Sequence, residues 1–179
     1  VLAEYTKQPV SDEPRELAQV GRRVLRDRFF EADMGISGVN FAVAETGTIC
    51  LITNEGNGRL TTSCPRVHVA VMGMEKVIPR MRDLPVFLKL LALAATGMPL
   101  SVYTNMVTGP KRPGESDGPE EFHLVVRDNG RSRVLASGFR GSLQCIRCGA
   151  CLNACPVYRR IGGHAYCGVH AGPCCVILT

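Results

Sequence analysis

Gly38-Val39-Asn40-Phe41-Ala42-Val43-Ala44-Glu45-Thr46-Gly47-Thr48-Ile49-Cys50-Leu51-Ile52-Thr53 contains two apolar, β-prone runs, 38–44 and 48–53, joined by the short polar turn Glu45-Thr46-Gly47. Upstream, Leu17, Val20, Val24, Leu25 and Phe29 recur at helical spacing among Arg and Glu, which predicts an amphipathic helix over 14–32 with one buried face. Pro14 suits its first turn, and Ser11 or Asp12 suits its cap. Downstream, Asn54-Glu55-Gly56-Asn57-Gly58 predicts a tight turn or hairpin. Further strands are expected over 67–72, 101–107 and 122–127, a helix over 84–95, and a Gly/Pro-rich loop over 108–119. A short helix over 134–144 would deliver the chain to Cys145. Helices alternating with buried strands predict an α/β layer architecture.

With 179 residues, 45% of them apolar and 21% charged, the chain suits one globular domain and a small appendage, not a disordered or fibrous protein. The expected division is an α/β part over 1–140 and a cysteine-rich part over 141–179. A net charge of +5, spread over pairs such as Arg22-Arg23, Lys111-Arg112 and Arg159-Arg160, does not form a nucleic-acid-binding patch. The longest apolar stretch, 84–95, is interrupted by Lys89 and falls short of the ~20 residues a spanning helix needs. Because the sequence opens at Val1 and stops on the apolar run Cys174-Cys175-Val176-Ile177-Leu178-Thr179, it is expected to be an internal piece of a longer protein.

Seven of the nine cysteines follow residue 144, and this clustering points to a reducing cytoplasm rather than to a disulfide framework. Cys145-Ile146-Arg147-Cys148-Gly149-Ala150-Cys151-Leu152-Asn153-Ala154-Cys155-Pro156 has the ferredoxin spacing C-x2-C-x2-C-x3-C-P. Successive thiolates at threes can wrap a [4Fe–4S] cubane, Gly149 and Ala150 let the backbone approach its sulfurs, and Pro156 turns the chain away. Structural zinc sites instead pair two C-x2-C knuckles across a longer linker, so the spacing favours a cluster over zinc. Cys145, Cys148 and Cys151 are expected to hold one cluster. Cys155 either closes it or serves a second, as in two-cluster ferredoxins.

Cys167, Cys174 and Cys175 match no ferredoxin spacing and are expected to be buried or incidental thiols, while Cys50 and Cys64 are expected to be structural. His68 and His123 are expected in the core. His164, in Gly162-Gly163-His164-Ala165-Tyr166, is a candidate neighbour of the cluster. Asn54 to Arg59 suits either a plain hairpin or an anion pocket with Arg59 as counter-charge, and 108–112 suits a solvated loop. No G-x-G-x-x-G follows a strand, so nicotinamide binding lacks support.

Taken together, Gly35 to Thr48, Thr53 to Arg59, Pro65-Arg66-Val67-His68, Gly73-Met74-Glu75-Lys76, Asp117 to His123, Asp128-Asn129-Gly130-Arg131-Ser132 and the cysteine run resemble the lactate utilization protein B family over nearly the whole chain. The resemblance implies a lactate-utilization domain akin to the NagB/RpiA/CoA-transferase group, followed by a ferredoxin-type segment with two cluster-binding runs. It also implies a role in oxidising L-lactate to pyruvate with two partner proteins, any flavin or quinone acceptor lying on a partner. Against that pattern the chain lacks the front of the first domain and the second cysteine run. It carries Cys64 for an expected Leu, and Cys167 and Cys174-Cys175 where aromatic or apolar residues are expected. The rival readings are a CoA- or acyl-handling domain with a structural cluster and Glu45 as acting carboxylate, and a non-enzymatic scaffold. For Glu45 itself, a polar turn is the favoured reading.

Overall fold

The computed structural model describes residues 2–7 and 11–166. In chain order these form α1 (Leu2–Thr6), α2 (Pro14–Glu31), β1 (Met34–Gly38), β2 (Phe41–Val43), β3 (Thr48–Thr53), α3 (Asn57–Ser63), β4 (Val67–Gly73), β5 (Val77–Ile78), α4 (Leu84–Thr96), β6 (Tyr103–Val107), β7 (Glu121–Arg127), α5 (Arg131–Leu135), α6 (Ala150–Ala154) and α7 (Pro156–Ile161). Short 3-10 turns lie at Met74–Lys76, Met81–Asp83, Arg140–Gln144 and His164–Tyr166.

The strands form two sheets. One is fully parallel in the order β1-β4-β7, and the other is mixed in the order β5-β2-β3-β6, with β2 and β6 antiparallel to β3 and β5 parallel to β2. Alternation along β2 and β3 explains how the layers stack, because successive side chains of a strand point to opposite faces. Ala42, Ile49 and Leu51 meet Ala70 and Met72 of the parallel sheet in one core, with Phe122 packed against it. Phe41, Val43 and Cys50 face the other way and build a second core with Ile78 and Leu84, joined by Phe87, Leu88 and Leu91 of α4. The four-stranded sheet is therefore the middle layer, apolar on both faces. Ile49, Val43 and Cys50 are at most 1% exposed, and burial of such a side chain is worth about 1.5–3 kcal/mol.

Several boundaries differ from the expectations. The segment 54–58, read as a turn or hairpin, leads directly into helix α3 (Asn57–Ser63), whose seven residues include no helix-favouring apolar periodicity. A parallel strand at Met34–Gly38 precedes the expected 38–44 strand, which is itself confined to Phe41–Val43. Glycine-rich composition conceals β1, yet Gly35 is required there: a Cβ at this position would collide with the Thr61 carbonyl of α3. The helix expected over 134–144 is two pieces, α5 and the 3-10 turn Arg140–Gln144. Along α2, Leu17, Val20, Val24 and Phe29 are half-buried and no residue is fully buried, so its apolar face is covered less than amphipathicity suggests. No helix among the described residues is long and apolar enough to cross a membrane.

Candidate metal centre

The approach to the cysteine run begins at one edge of the parallel sheet. β4 and β7 end side by side there, with Gly73 in register with Arg127, and both continue into polar turns. After β4, Glu75 folds back over Gly73 so closely that a Cβ there would strike the carboxylate. After β7, the Asp128 carboxylate accepts hydrogen bonds from the Ser132 amide at 2.7 Å and the Ser132 hydroxyl at 2.8 Å, which orders the start of α5. These bonds, the backbone one first, hold the Asp128 carboxyl below its usual range. Arg131, the first residue of α5, turns its guanidinium inward, forming an ion pair with Glu75 and donating from Nη2 to Glu75 Oε1 at 3.2 Å. Arg131 Nη1 also donates to the Asp128 carbonyl at 3.1 Å.

The same carboxylate oxygen receives a second guanidinium: Arg147 Nη2 donates to Glu75 Oε1 at 3.2 Å. Arg147 stands between Cys145 and Cys148, so a residue of the cysteine run is anchored on the α/β layer. Burial by itself would push the Glu75 carboxyl up, but the Arg131 hydrogen bond and the charges of Arg131 and Arg147 outweigh it and hold the group below its usual value. Next to it, burial and then Arg147 hold Lys76 below the usual lysine value, partly offset by Glu75 and Cys145. Immediately before Arg147, Ile146 packs against the second core. Two successive residues therefore dock the front of the run, one by apolar contact and one by charge.

Beyond the anchor, Arg147 at φ 59° and Gly149 at φ 79° are both left-handed and swing the chain through the first two cysteine positions. The short helix α6 carries Cys151, and Cys155 caps α7, its sulfur accepting from the Tyr158 amide at 3.4 Å. The Tyr166 hydroxyl lies 3.7 Å from the same sulfur. The Tyr158 amide first, and Tyr166 second, hold the Cys155 thiol below its usual value.

Cys145, Cys148, Cys151 and Cys155 are all free thiols, three half-buried and Cys151 exposed. Four reachable soft sulfur donors, two left-handed turns and a helix-start amide aimed at Cys155 suit a cluster by donor chemistry. Among the described residues, no three His, Cys, Asp or Glu side chains converge on one metal position.

The other expected residues divide clearly. Cys50 is buried and its thiol is pushed up to about 11 by burial, which suits a core residue. Cys64 ends α3, its amide donating to the Leu60 carbonyl at 3.0 Å. Cys167, Cys174 and Cys175 lie outside the described residues. His68 is fully buried, 2.8 Å from the Ser37 hydroxyl through Nε2, and burial lowers its pKa. His123 departs from the core expectation: β7 is an edge strand, and the histidine is exposed there, 3.5 Å from Glu121. His164 is exposed two residues before Tyr166. Glu45 serves a turn, its carboxylate accepting from the Met81 amide at 2.9 Å at the start of a 3-10 turn.

Two cavities involve segments singled out in the sequence. One of about 300 Å³ is lined in part by Asn54 and Glu55 against α4, without the Arg59 counter-charge expected of an anion pocket. The other, about 620 Å³, is lined by Thr108, Lys111 and Arg112 together with Thr62 and Ser63, and Thr108, Pro110 and Arg112 are exposed, as expected of a solvated loop. Sequence reasoning also passed over Glu75, Arg131 and Arg147 as a group. Glu75 and Arg131 stand just after apolar strands, within stretches that carry the family resemblance, and Arg147 stands within the cysteine run, but nothing local joins the three.

The family model for the LUD domain matches residues 3–126. The chain belongs to the LUD domain family. The LUD domain match thus covers both sheets nearly to the end of β7, while Arg131 and the cysteine run lie after it. The chain is similar to lactate utilization protein B of Bacillus velezensis, 49% identical over 179 residues, covering all of this chain and 38% of that protein. To the protein of the same name from Shouchella clausii it is 51% identical over 98% of this chain and 36% of the relative. For Bacillus subtilis the figures are 50%, 94% and 35%. The chain therefore spans little more than a third of the length of these relatives. Among solved structures, a DUF162 family protein from Deinococcus radiodurans is 23% identical over 56% of each chain, with a TM-score of 0.38.

Proposed function

We propose that this chain is the iron–sulfur electron-transfer part of a lactate-utilization protein, working with two partner proteins in the cytoplasm to oxidise L-lactate to pyruvate. The observation that carries the reading is the C-x2-C-x2-C-x3-C-P run of free thiols, docked on the LUD domain by Ile146 and Arg147. Lactate enters through the likeness to lactate utilization protein B, whose name carries the process.

In this reading Cys145, Cys148 and Cys151 hold a [4Fe–4S] cluster, and Cys155 closes it or serves a second cluster in the intact protein. When bound, the cluster supplies one-electron transfer. Oxidation of lactate to pyruvate releases two electrons and two protons, so single-electron steps to a flavin or quinone acceptor on a partner would complete the balance. The chain's own residues orient the thiolates: Arg147 and Ile146 set the first turn, and the Tyr158 amide and Tyr166 hydroxyl support charge on Cys155. The CoA-handling alternative is not favoured: Glu45 serves a turn, its carboxylate accepting from the Met81 amide.

Anaerobic reconstitution with iron and sulfide tests the reading. The protein should take up both and show visible absorption that bleaches with dithionite. Stoichiometric zinc without iron after native purification would end it.

A further inference from the structure

In the order β1-β4-β7 the last strand pairs only with β4, along all 7 residues of Glu121–Arg127, and among the described residues its other edge has no strand beside it. The middle of β7 is apolar and open, with Leu124, Val125 and Val126 40%, 44% and 52% exposed. At the opposite edge of the sheet, β1 is interrupted by Gly35 and Gly38, and the mixed sheet ends on the 2-residue β5 and the largely half-buried β6. An edge as long and apolar as β7, without Pro, Gly or a central charge, is a template for pairing with a further strand.

The backbone limits what can pair there. The Glu121 amide donates to the Arg66 carbonyl at 3.1 Å, so Glu121, His123, Val125 and Arg127 turn their amides and carbonyls toward β4. Phe122, Leu124 and Val126 turn theirs to the free edge, because these groups alternate along a strand.

We propose that the β7 edge is a homodimer interface, at which a second copy of this chain adds its own β7 antiparallel about a twofold axis at Leu124. The strand is self-complementary in that register. Phe122 stands opposite Val126 of the second copy and Leu124 opposite Leu124 of the second copy, and these outward-turned residues exchange both backbone hydrogen bonds. Between them His123 faces Val125, and at the ends Glu121 faces Arg127. Centring the axis on His123 would set two imidazoles face to face and leave Arg127 opposite Pro119, while centring it on Val125 would set His123 against Arg127. An axis between residues would put outward-turned amides opposite inward-turned ones and form no ladder.

Charge is the secondary term. Glu121 already binds Arg66 at 2.8 Å and lies 3.5 Å from His123, and Glu120 lies 3.9 Å from Arg66 and 3.4 Å from Lys111, so that end is close to balanced. At the other end Asp128 follows Arg127 and is engaged by Ser132, while Arg131, Arg147 and Lys76 gather round Glu75. Arg127 of the second copy would share Glu121 with Arg66 and so favours this register, whereas the backbone bonds and the apolar pairs supply the association. Joining two copies turns a small 3-stranded sheet into one of ordinary size.

The test uses the full protein chain under anaerobic, reducing conditions. Sedimentation velocity should show a dimer that dissociates on dilution. Amide hydrogen exchange read residue by residue should show Phe122, Leu124 and Val126 protected in the dimer and exposed on dissociation, while His123 and Val125, bonded to β4, stay protected in both states. Leu124→Lys sets two ammonium groups against each other at the axis, and Arg127→Glu sets carboxylates against Glu121 at both ends. Each should raise the dimer dissociation constant roughly tenfold and leave the circular dichroism spectrum unchanged.

A protein that sediments as a monomer at every concentration, with the amides of 122, 124 and 126 exchanging freely, would overturn the proposal. So would protection of these amides in monomeric protein, which would mean that another segment of the intact chain covers the edge. A dimer without the alternating pattern, or one that Leu124→Lys leaves unchanged, would place the interface elsewhere and overturn it as well. If Leu124→Lys does not fold, Arg127→Glu, at the exposed strand end, carries the comparison.

Discussion

The middle sheet and the cysteine segment are ordered by different forces. In β2 and β3, Phe41, Val43, Ile49 and Cys50 are at most 2% exposed, and apolar contact on both faces fixes the strands. From Cys145 to Tyr166 no residue is fully buried. The helices there, α6 and α7, have five and six residues, too few to persist alone. The first region is held by its core, and the second by a few tethers: Ile146, Arg147 and the capped Cys155. A layer held by its core thus carries a segment held by local contacts and two anchoring residues.

The contrast is broken most forcefully from the core side. Ile49→Ala removes a side chain with 0% exposure at the centre of the first core, and a loss of about 2–5 kcal/mol is expected from such a truncation. Urea denaturation followed by circular dichroism would read it. A loss under about 1 kcal/mol would mean that the two sheets do not share a packed core. Ile146→Ala acts at the join between the regions and should cost less, about 1 kcal/mol, because that side chain is only half-buried at the core margin. Its distinguishing sign is local: proteolytic cleavage within 145–155 should speed up more than the global midpoint falls.

A subtler effect belongs to His68, at the centre of the parallel sheet. Burial lowers its pKa from 6.5, so the folded protein binds this proton less readily than the unfolded chain. Stability from this group is complete above the unfolded value near 6.5 and is lost as pH falls toward the folded one. The urea midpoint should therefore decline between about pH 7 and pH 5, and decline less in His68→Gln. Equal declines would show that the buried imidazole is not the group responsible.

How far the sequence disclosed this contrast depended on whether the governing contacts were local. β3, β4 and α4 were legible because apolar runs such as Ile49-Cys50-Leu51-Ile52 and Phe87-Leu88 carry their own periodicity. The cysteine spacing is visible for a similar reason, since it lies within eleven residues. β1 was missed because Gly35 and Gly38 depress strand propensity, and the packing need that Gly35 meets is imposed by α3, a remote element. α3 was missed because Asn57-Gly58 has the composition of a turn. The Glu75–Arg147 ion pair was out of reach: it joins residues 72 apart, and no local pattern says that Arg147 faces inward rather than into solvent.

The smallest expected effect on stability is also the sharpest test of the contrast. Cys148 is half-buried and free, and it stands just outside the anchored pair Ile146-Arg147. Replacing it with Ser removes a thiol proposed as a cluster ligand but takes no side chain from either core. In metal-free protein, Cys148→Ser should shift unfolding by no more than about 0.5 kcal/mol, as for a surface substitution. After anaerobic reconstitution the same variant should retain far less iron per chain than wild type. If the metal-free variant instead lost stability comparable to Ile49→Ala, the cysteine segment would be part of the core, and the division between a core-held layer and a tethered segment would be wrong. If stability and iron content were both unchanged, Cys148 would not be a ligand, and the cluster reading would lose its second donor.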